Sequence, residues 1–334
     1  MELADEIAAA MDAYPGRHSL SGVILISRDG ERRFERAYGE ASVQLGVINR
    51  PQTRFHIASV TKMFISAAVV RLACEGRLSL QAHPAEYLAY LGALDPRITL
   101  HQLLSHTAGV ADVYDQPELR LAMTRLELGG GRLLDYLVAL PPLFEPGARW
   151  RYSSSGFLLL AYVVEAATGM RFAEALRQLF FDPLGMADTG PDDPFRVNPG
   201  RASGHTGRDG AWGNAGNDLL AEIEAPREHY STAADLDRWG TALLRGETLT
   251  TAGLDLTFTP HAKVGEGSGF DPSLSYGYGW FLGPRHRWIG GMTAGFRAQM
   301  WQFPEERLNV VMLWNNEATD SQRLFNRLRP LLLG

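Results

Sequence analysis

Strand-like segments stand at the two ends of this chain, and almost everything between them reads as helix and loop. The run Gly22-Val-Ile-Leu-Ile-Ser27 has the apolar continuity of a buried strand, and Asp29-Gly30 is a hairpin turn that returns the chain through Arg32 to Tyr38. Further strand-like runs come only late, at Tyr276–Leu282, Arg287–Gly290, Phe296–Phe303 and Asn309–Asn315. Before them lies a helix over Ala233–Leu244, and after them a last helix fills about 319–332. Residues 3–14 form an amphipathic helix stopped by Pro15-Gly16. From 77 to 205 the text is helical, punctuated at Pro96, Gly109, Gly129–Gly131, Pro141-Pro142, Pro146-Gly147 and Pro183, with its clearest helix at Phe157–Ala167. One antiparallel sheet must therefore be closed from N- and C-terminal segments. The expected fold is α+β: residues 1–76 and 206–334 build a sheet domain flanked by helices, 77–205 an inserted helical domain, and the functional cleft lies between them.

Composition narrows the function. With 334 residues, 45% hydrophobic and 21% charged, the chain can bury a sizeable core. Its net charge is −6 and no Lys/Arg-rich run occurs, so nucleic acid and anionic membranes are not expected partners; a small-molecule substrate is. The single cysteine, Cys74, excludes an internal disulfide framework and argues against a cysteine metal site. The acidic start, Met1 to Glu6, lacks the pattern of a secretory leader, and no run reaches the ~18 apolar residues that span a bilayer. The expectation is a cytoplasmic protein. Of 32 basic residues only Lys62 and Lys263 are lysine. Arginine is effectively never deprotonated, whereas a lysine ammonium gives up its proton when desolvated, so a catalytic base must be lysine where a merely positive residue need not be.

Lys62 also stands in a suggestive place. In Phe55-His-Ile-Ala-Ser59-Val-Thr-Lys62, a serine and a lysine lie three apart at the start of a helix predicted from Ser59 to Glu75, on one face of it. A serine hydroxyl is a poor nucleophile until a neighbouring base takes its proton, and a helix N-terminus supplies a positive field. The plain alternative is a serine N-cap. Downstream, Arg151-Tyr152-Ser153-Ser154-Ser155-Gly156-Phe157 brings a tyrosine to a helix start, where a phenol beside a cation can serve as base and then as acid. The run Trp288-Ile-Gly-Gly-Met-Thr293 reads as an edge strand whose small residues admit a substrate backbone and whose N–H groups can complete an oxyanion hole.

The order and spacing of these segments resemble the serine β-lactamase-like and penicillin-binding-protein-like hydrolases of the class C branch, which includes D-aminopeptidases and carboxylesterases. The resemblance covers most of the chain. It rests on Ser59-Val-Thr-Lys62, on Ile98 through His106-Thr-Ala-Gly109, and on Phe144-Glu-Pro-Gly147 leading to Tyr152-Ser-Ser. It continues through Phe181-Asp-Pro-Leu-Gly-Met186, Ser231-Thr-Ala-Ala-Asp-Leu236, Tyr276-Gly-Tyr-Gly-Trp280 and Ala294-Gly-Phe296. It implies Ser59 as nucleophile, Lys62 as its activator and Tyr152 as acid/base, with either of the last two receiving the proton. It further implies an oxyanion hole from the backbone N–H groups of Ser59 and Met292, a structural role for His106, and no metal or cofactor.

Two departures shape the expected substrate. Ser154 stands where the middle motif has asparagine, and a hydroxyl replaces one hydrogen bond of an amide, not both ends. Ile289 occupies the place of the lysine or histidine that reads a substrate carboxylate, followed by Gly290 and Gly291; these four residues are the expected substrate contacts. Without that cation an efficient β-lactamase is not expected. His286, three residues earlier, should point to the opposite face. The reading is an acyl-enzyme hydrolase of small, neutral esters. Its alternatives are a D-amino-acid amidase or β-lactamase of the same family, and a catalytically silent scaffold.

Overall fold

The computed structural model describes residues 3–15, 20–117, 130–193, 197–208, 211–215 and 229–333. Its N-terminal hairpin is β1 (Gly22–Arg28) with β2 (Glu31–Tyr38), turning at Asp29-Gly30 as expected. Minor pairings follow: β3 (Glu40–Ser42) with β4 (Val47–Ile48), and β7 (His205–Arg208) with β8 (Ala211–Asn214). A three-stranded piece joins β5 (Phe55–His56) and β6 (Gly190–Pro191) on either side of β9 (His229–Ser231). The C-terminal third supplies β10 (Ala262–Lys263), β11 (Ser275–Tyr276), β12 (Phe281–Leu282), β13 (Arg287–Thr293), β14 (Phe296–Phe303) and β15 (Leu308–Trp314).

The main sheet has eight antiparallel strands in the order β10-β11-β12-β13-β14-β15-β1-β2. The two ends of the chain meet where β1 runs against β15, from Gly22 opposite Trp314 to Arg28 opposite Leu308. Every residue of β15 is buried, which explains its continuous apolar text. One face of the sheet, with Ile24, Ile26, Trp301, Val310 and Met312, packs against α1 (Leu3–Asp12) and the C-terminal helix, whose Leu324, Phe325 and Leu328 are buried there. Trp301 stacks on Phe325 at 3.8 Å. The other face, with Val23, Leu25, Ala298, Met300 and Val311, packs against α2 (Lys62–Cys74).

Ten of the thirteen residues of α2 are buried, including its first, Lys62. Its outer side meets α3 (Leu100–Leu104) and α4 (Ser154–Thr168), whose apolar residues join the same core. Sheet segments and helical segment therefore share one core around α2. Among the described residues no single helix is long and apolar enough to cross a membrane.

Two local expectations are corrected. The helix expected from Ser59 starts at Lys62, after a 3₁₀ turn over Ala58–Thr61. The strand expected over Tyr276–Leu282 is split into β11 and β12 by a turn at Gly277–Gly279. Gly279 has φ +78°, and a Cβ there would stand 2.5 Å from Ser66 Oγ and 3.0 Å from the Lys62 carbonyl oxygen, so the turn presses on α2 in a way that only glycine allows.

Burial holds several histidines neutral. The pKa values of His101, His106, His205, His261 and His286 are all pushed down, first of all by burial. A depressed folded-state pKa contributes stability that is fully present above the unfolded value near 6.5 and is lost as pH falls through the folded value. Asp235 and Asp237, raised by burial, act in the opposite sense, nearer the carboxylate range. Denaturant melts between pH 7.5 and 5.5 should show stability falling with acid, by up to about 1.4 kcal/mol per pH unit for each histidine in its window. A flat profile would show these rings to be solvated.

Candidate active site

A cleft of about 780 Å³ opens at the N-terminus of α2, and Ser59, Lys62, Tyr152, Ser154, Gly290, Gly291 and Met292 all line it. Ser59 sits in the 3₁₀ turn, where residues three apart eclipse one another. Lys62 Nζ therefore reaches back and donates a 2.9 Å hydrogen bond to Ser59 Oγ. The turn is strained: Ala58 has φ +45°, and its N–H is held by the buried His56 Nδ1 at 3.2 Å. The chain is pinned just before it, where Ile57 N–H donates to the His229 carbonyl oxygen of β9 at 3.0 Å.

Lys62 is 6% exposed and lies among aromatic rings, 5.1 Å from the Tyr152 centroid and 5.8 Å from that of Phe157. Ser153 caps α4, its Oγ accepting from Gly156 N–H at 3.2 Å, and this fixes the loop that carries Tyr152 into the cleft. His106 braces that loop. Its Nδ1 accepts from Ser153 N–H at 3.2 Å, so the ring proton resides on Nε2 and is given to Tyr276 Oη at 3.1 Å. The ring lies 4.5 Å from that of Tyr152. Burial, then the charge of Lys62, hold the His106 pKa well below the ordinary value, so it stays neutral behind the cleft. No group of three or more His, Cys, Asp or Glu among the described residues is arranged to hold a metal ion.

The third segment meets the Ser59 turn edge-on. Strand β12 pairs with β13 only at Arg287 and Trp288, so from Ile289 to Thr293 the named strand partner of β13 is β14 alone, and its other edge faces the cleft. A Cβ on Gly291 would stand 2.2 Å from the Ile57 carbonyl oxygen and 2.8 Å from Ser59 N. The absent side chain is what lets the backbone of β13 touch the turn that carries Ser59. Met292 N–H is one residue further along.

Ile289 is corrected. It is 3% exposed and packs into the main core with Met300, its cross-strand partner, while the cleft is lined by its neighbours Trp288 and Gly290. Strand alternation turns 289 and 291 toward α2, where 291 has no side chain and 289 is covered. His286 lies on the other face, 5.5 Å from Trp301. Of the bulky stretch 226–230, residues 226–228 fall outside the described residues, and His229 is buried against Phe64, Phe172 and Phe181 and does not line the cleft.

Asp112 is a cleft residue that sequence reading missed. It is 7% exposed, and its carboxylate accepts from Ser154 N–H at 2.6 Å and from Tyr114 N–H at 3.0 Å. Burial raises its pKa, against the pull of those bonds and of Lys62. In the sequence it is one more Asp before a turn; only the fold brings it to the start of α4. Arg297 and Gln299 of β14 also line the cleft. Their signal was present, as two polar residues alternating with the apolar Phe296, Ala298 and Met300.

Residues 5–333 match the family model described as Beta-lactamase. Esterase EstB of Burkholderia gladioli is 34% identical over 202 residues, covering 56% of this chain and 51% of the esterase, so the match spans about half of that protein's length. A penicillin-binding protein from Bacillus halodurans superposes with TM-score 0.83 at 26% identity, over 97% of this chain and 99% of that one. A D-stereospecific amidohydrolase from Streptomyces sp., at 23% identity and TM-score 0.78 over 96% and 97% of the two chains, shares the fold. A match that runs through nearly the whole length places the chain in the β-lactamase family, a family of serine hydrolases.

Proposed function

We propose that this chain hydrolyses small esters through an acyl-enzyme on Ser59 and acts only feebly on β-lactams. The observation that carries the reading is the 2.9 Å bond between Lys62 Nζ and Ser59 Oγ, buried at the foot of an open cleft. Ser59 Oγ attacks the ester carbonyl as its proton passes to Lys62 or Tyr152. The oxyanion is held by the N–H groups of Ser59 and Met292, and collapse expels the alcohol, which recovers the proton. Water then repeats the sequence on the acyl-enzyme. Ser154 and the backbone of Gly290 and Gly291 border the bound acyl group.

Ester rather than β-lactam cleavage is supported by Ile289: no cation stands beside the nucleophile on that strand to fix a lactam's carboxylate. The esterase among the relatives points the same way. A silent scaffold fits poorly, since a protein without chemistry has no need of a strained turn, a buried ammonium and a bared strand edge at one place.

With p-nitrophenyl butyrate, Ser59→Ala should lower kcat by about 10³-fold or more, and a fluorophosphonate should add its mass to the Ser59 peptide of the native chain alone. Hydrolysis that survives the substitution would sink the mechanism. Gly291→Ala should push β13 off the nucleophile turn and lower kcat about 10²-fold, the scale of one oxyanion donor, with an unchanged far-UV spectrum. Asp112→Ala, which strips the start of α4 of a charged acceptor, should cost about 2 kcal/mol of stability in urea melts; a change under about 0.5 kcal/mol would show the two N–H groups to be solvated.

A further inference from the structure

We propose that Arg297 reads a carboxylate on the substrate, so that the preferred esters are anionic; this rests on the esterase reading and narrows its substrate class. Three arginines line the cleft, Arg149, Arg151 and Arg297. Arg151 is neutralised by Asp115 at 2.7 Å, and Arg149 lies over the Phe144 ring at 4.7 Å. Arg297 is half-buried and makes one hydrogen bond, from Nε to the Glu317 carbonyl oxygen at 2.5 Å, with no carboxylate partner among the described residues. The Glu317 carboxylate instead accepts from Gly295 N–H at 3.2 Å. Among the described residues no carboxylate compensates the Nη groups of Arg297, which form a fork suited to a carboxylate.

Register fixes where that charge stands. Arg297 is directly opposite Met292, and Gln299 directly opposite Gly290. Opposed side chains on one face of an antiparallel pair have Cβ atoms about 4.5–5.5 Å apart, so the guanidinium lies within a side chain's length of a carbonyl held at Met292 N–H. Gly290 offers no side chain to separate that edge from the Arg297 face. Beside Arg297, Gln299 Oε1 is buried without a partner among the described residues, an acceptor placed to take a donor from the ligand rather than its carboxylate. The charge missing at 289 is thus supplied from the next strand and from the opposite face of the sheet. A flexible acid can bend over the bare edge at Gly290 to meet it, whereas a rigid bicyclic lactam holds its carboxylate at a fixed angle to the scissile bond.

Two pairs of esters test the assignment. 4-Nitrophenyl hydrogen glutarate against 4-nitrophenyl valerate puts the charge on the acyl side, and 3-(butyryloxy)benzoate against phenyl butyrate puts it on the alcohol side. In at least one pair the native chain should favour the anion by at least about tenfold in kcat/KM, with the advantage in KM and weakened by high salt. Arg297→Gln should erase that ratio, and Arg297→Lys should restore part of it. Equal handling of anionic and neutral esters in both pairs by the native chain, which needs no variant to fold, would overturn the proposal, as would a ratio unchanged in Arg297→Gln. Neutral-ester hydrolysis that is Ser59-dependent yet shows no anion preference removes only the role of Arg297; hydrolysis that survives Ser59→Ala removes the esterase reading itself.

Discussion

The pairing of β1 with β15 is the constraint on which the rest of the molecule depends. It joins residues 22–28 to 308–314, so nearly the whole chain is a loop closed by one antiparallel pair. Closing so long a loop carries a large entropic penalty, offset here by burying both strands between helical layers. Once that pair exists, β14 and β13 can add on one side and β2 on the other, and α2 has a flat apolar face to lie against. Helices α3 and α4 then join the same core on the far side of α2, and the helical segment also meets the sheet directly, through His106 on Tyr276 and through Trp150 on Tyr276 and Phe281.

The site follows from the same geometry. Helix α2 must begin close to the sheet because its apolar residues are needed on the face formed by Val23, Leu25, Ala298 and Met300. Its first turn is therefore forced against β13, and Gly291 is where the two backbones touch. The strain at Ala58 and the 3₁₀ winding of the turn are local consequences of that approach, and they point Ser59 toward the edge of β13. A helix start, a strand edge and the capped loop before α4 converge because three elements share one core.

What could be read from the sequence was what local pattern controls. The strands at both ends, the hairpin at Asp29-Gly30 and the buried α2 and α4 were legible because periodicity and turn chemistry are short-range. The proximity of Ser59 and Lys62 was legible for the same reason, being three residues of one turn. Ile289 was misread as a cleft residue because a place in a motif says nothing of which face a side chain takes; that depends on the register with β14 and on the contact at Gly291. The division of Tyr276–Leu282 was hidden because the pressure that breaks it comes from Ser66 and Lys62, two hundred residues away. Asp112 was invisible for a similar reason, since the N–H groups it satisfies lie partly on another element.

The two departures from the family pattern become intelligible together once the side chains are placed. An asparagine in the middle motif would offer the cleft both an acceptor and a donor; here Ser154 offers a hydroxyl, and the carboxylate of Asp112, bonded to Ser154 N–H, stands beside it as an acceptor. The cation absent at 289 reappears at 297. Each replacement keeps the type of group and moves it to a neighbouring element, which changes the direction from which a substrate is held. The ammonium of Lys62 then has one buried carboxylate, Asp112, and a neutral His106 within its electrostatic reach, so removing Asp112 and removing His106 alter its surroundings in different ways. A lysine that donates to Ser59 Oγ while charged cannot also receive its proton.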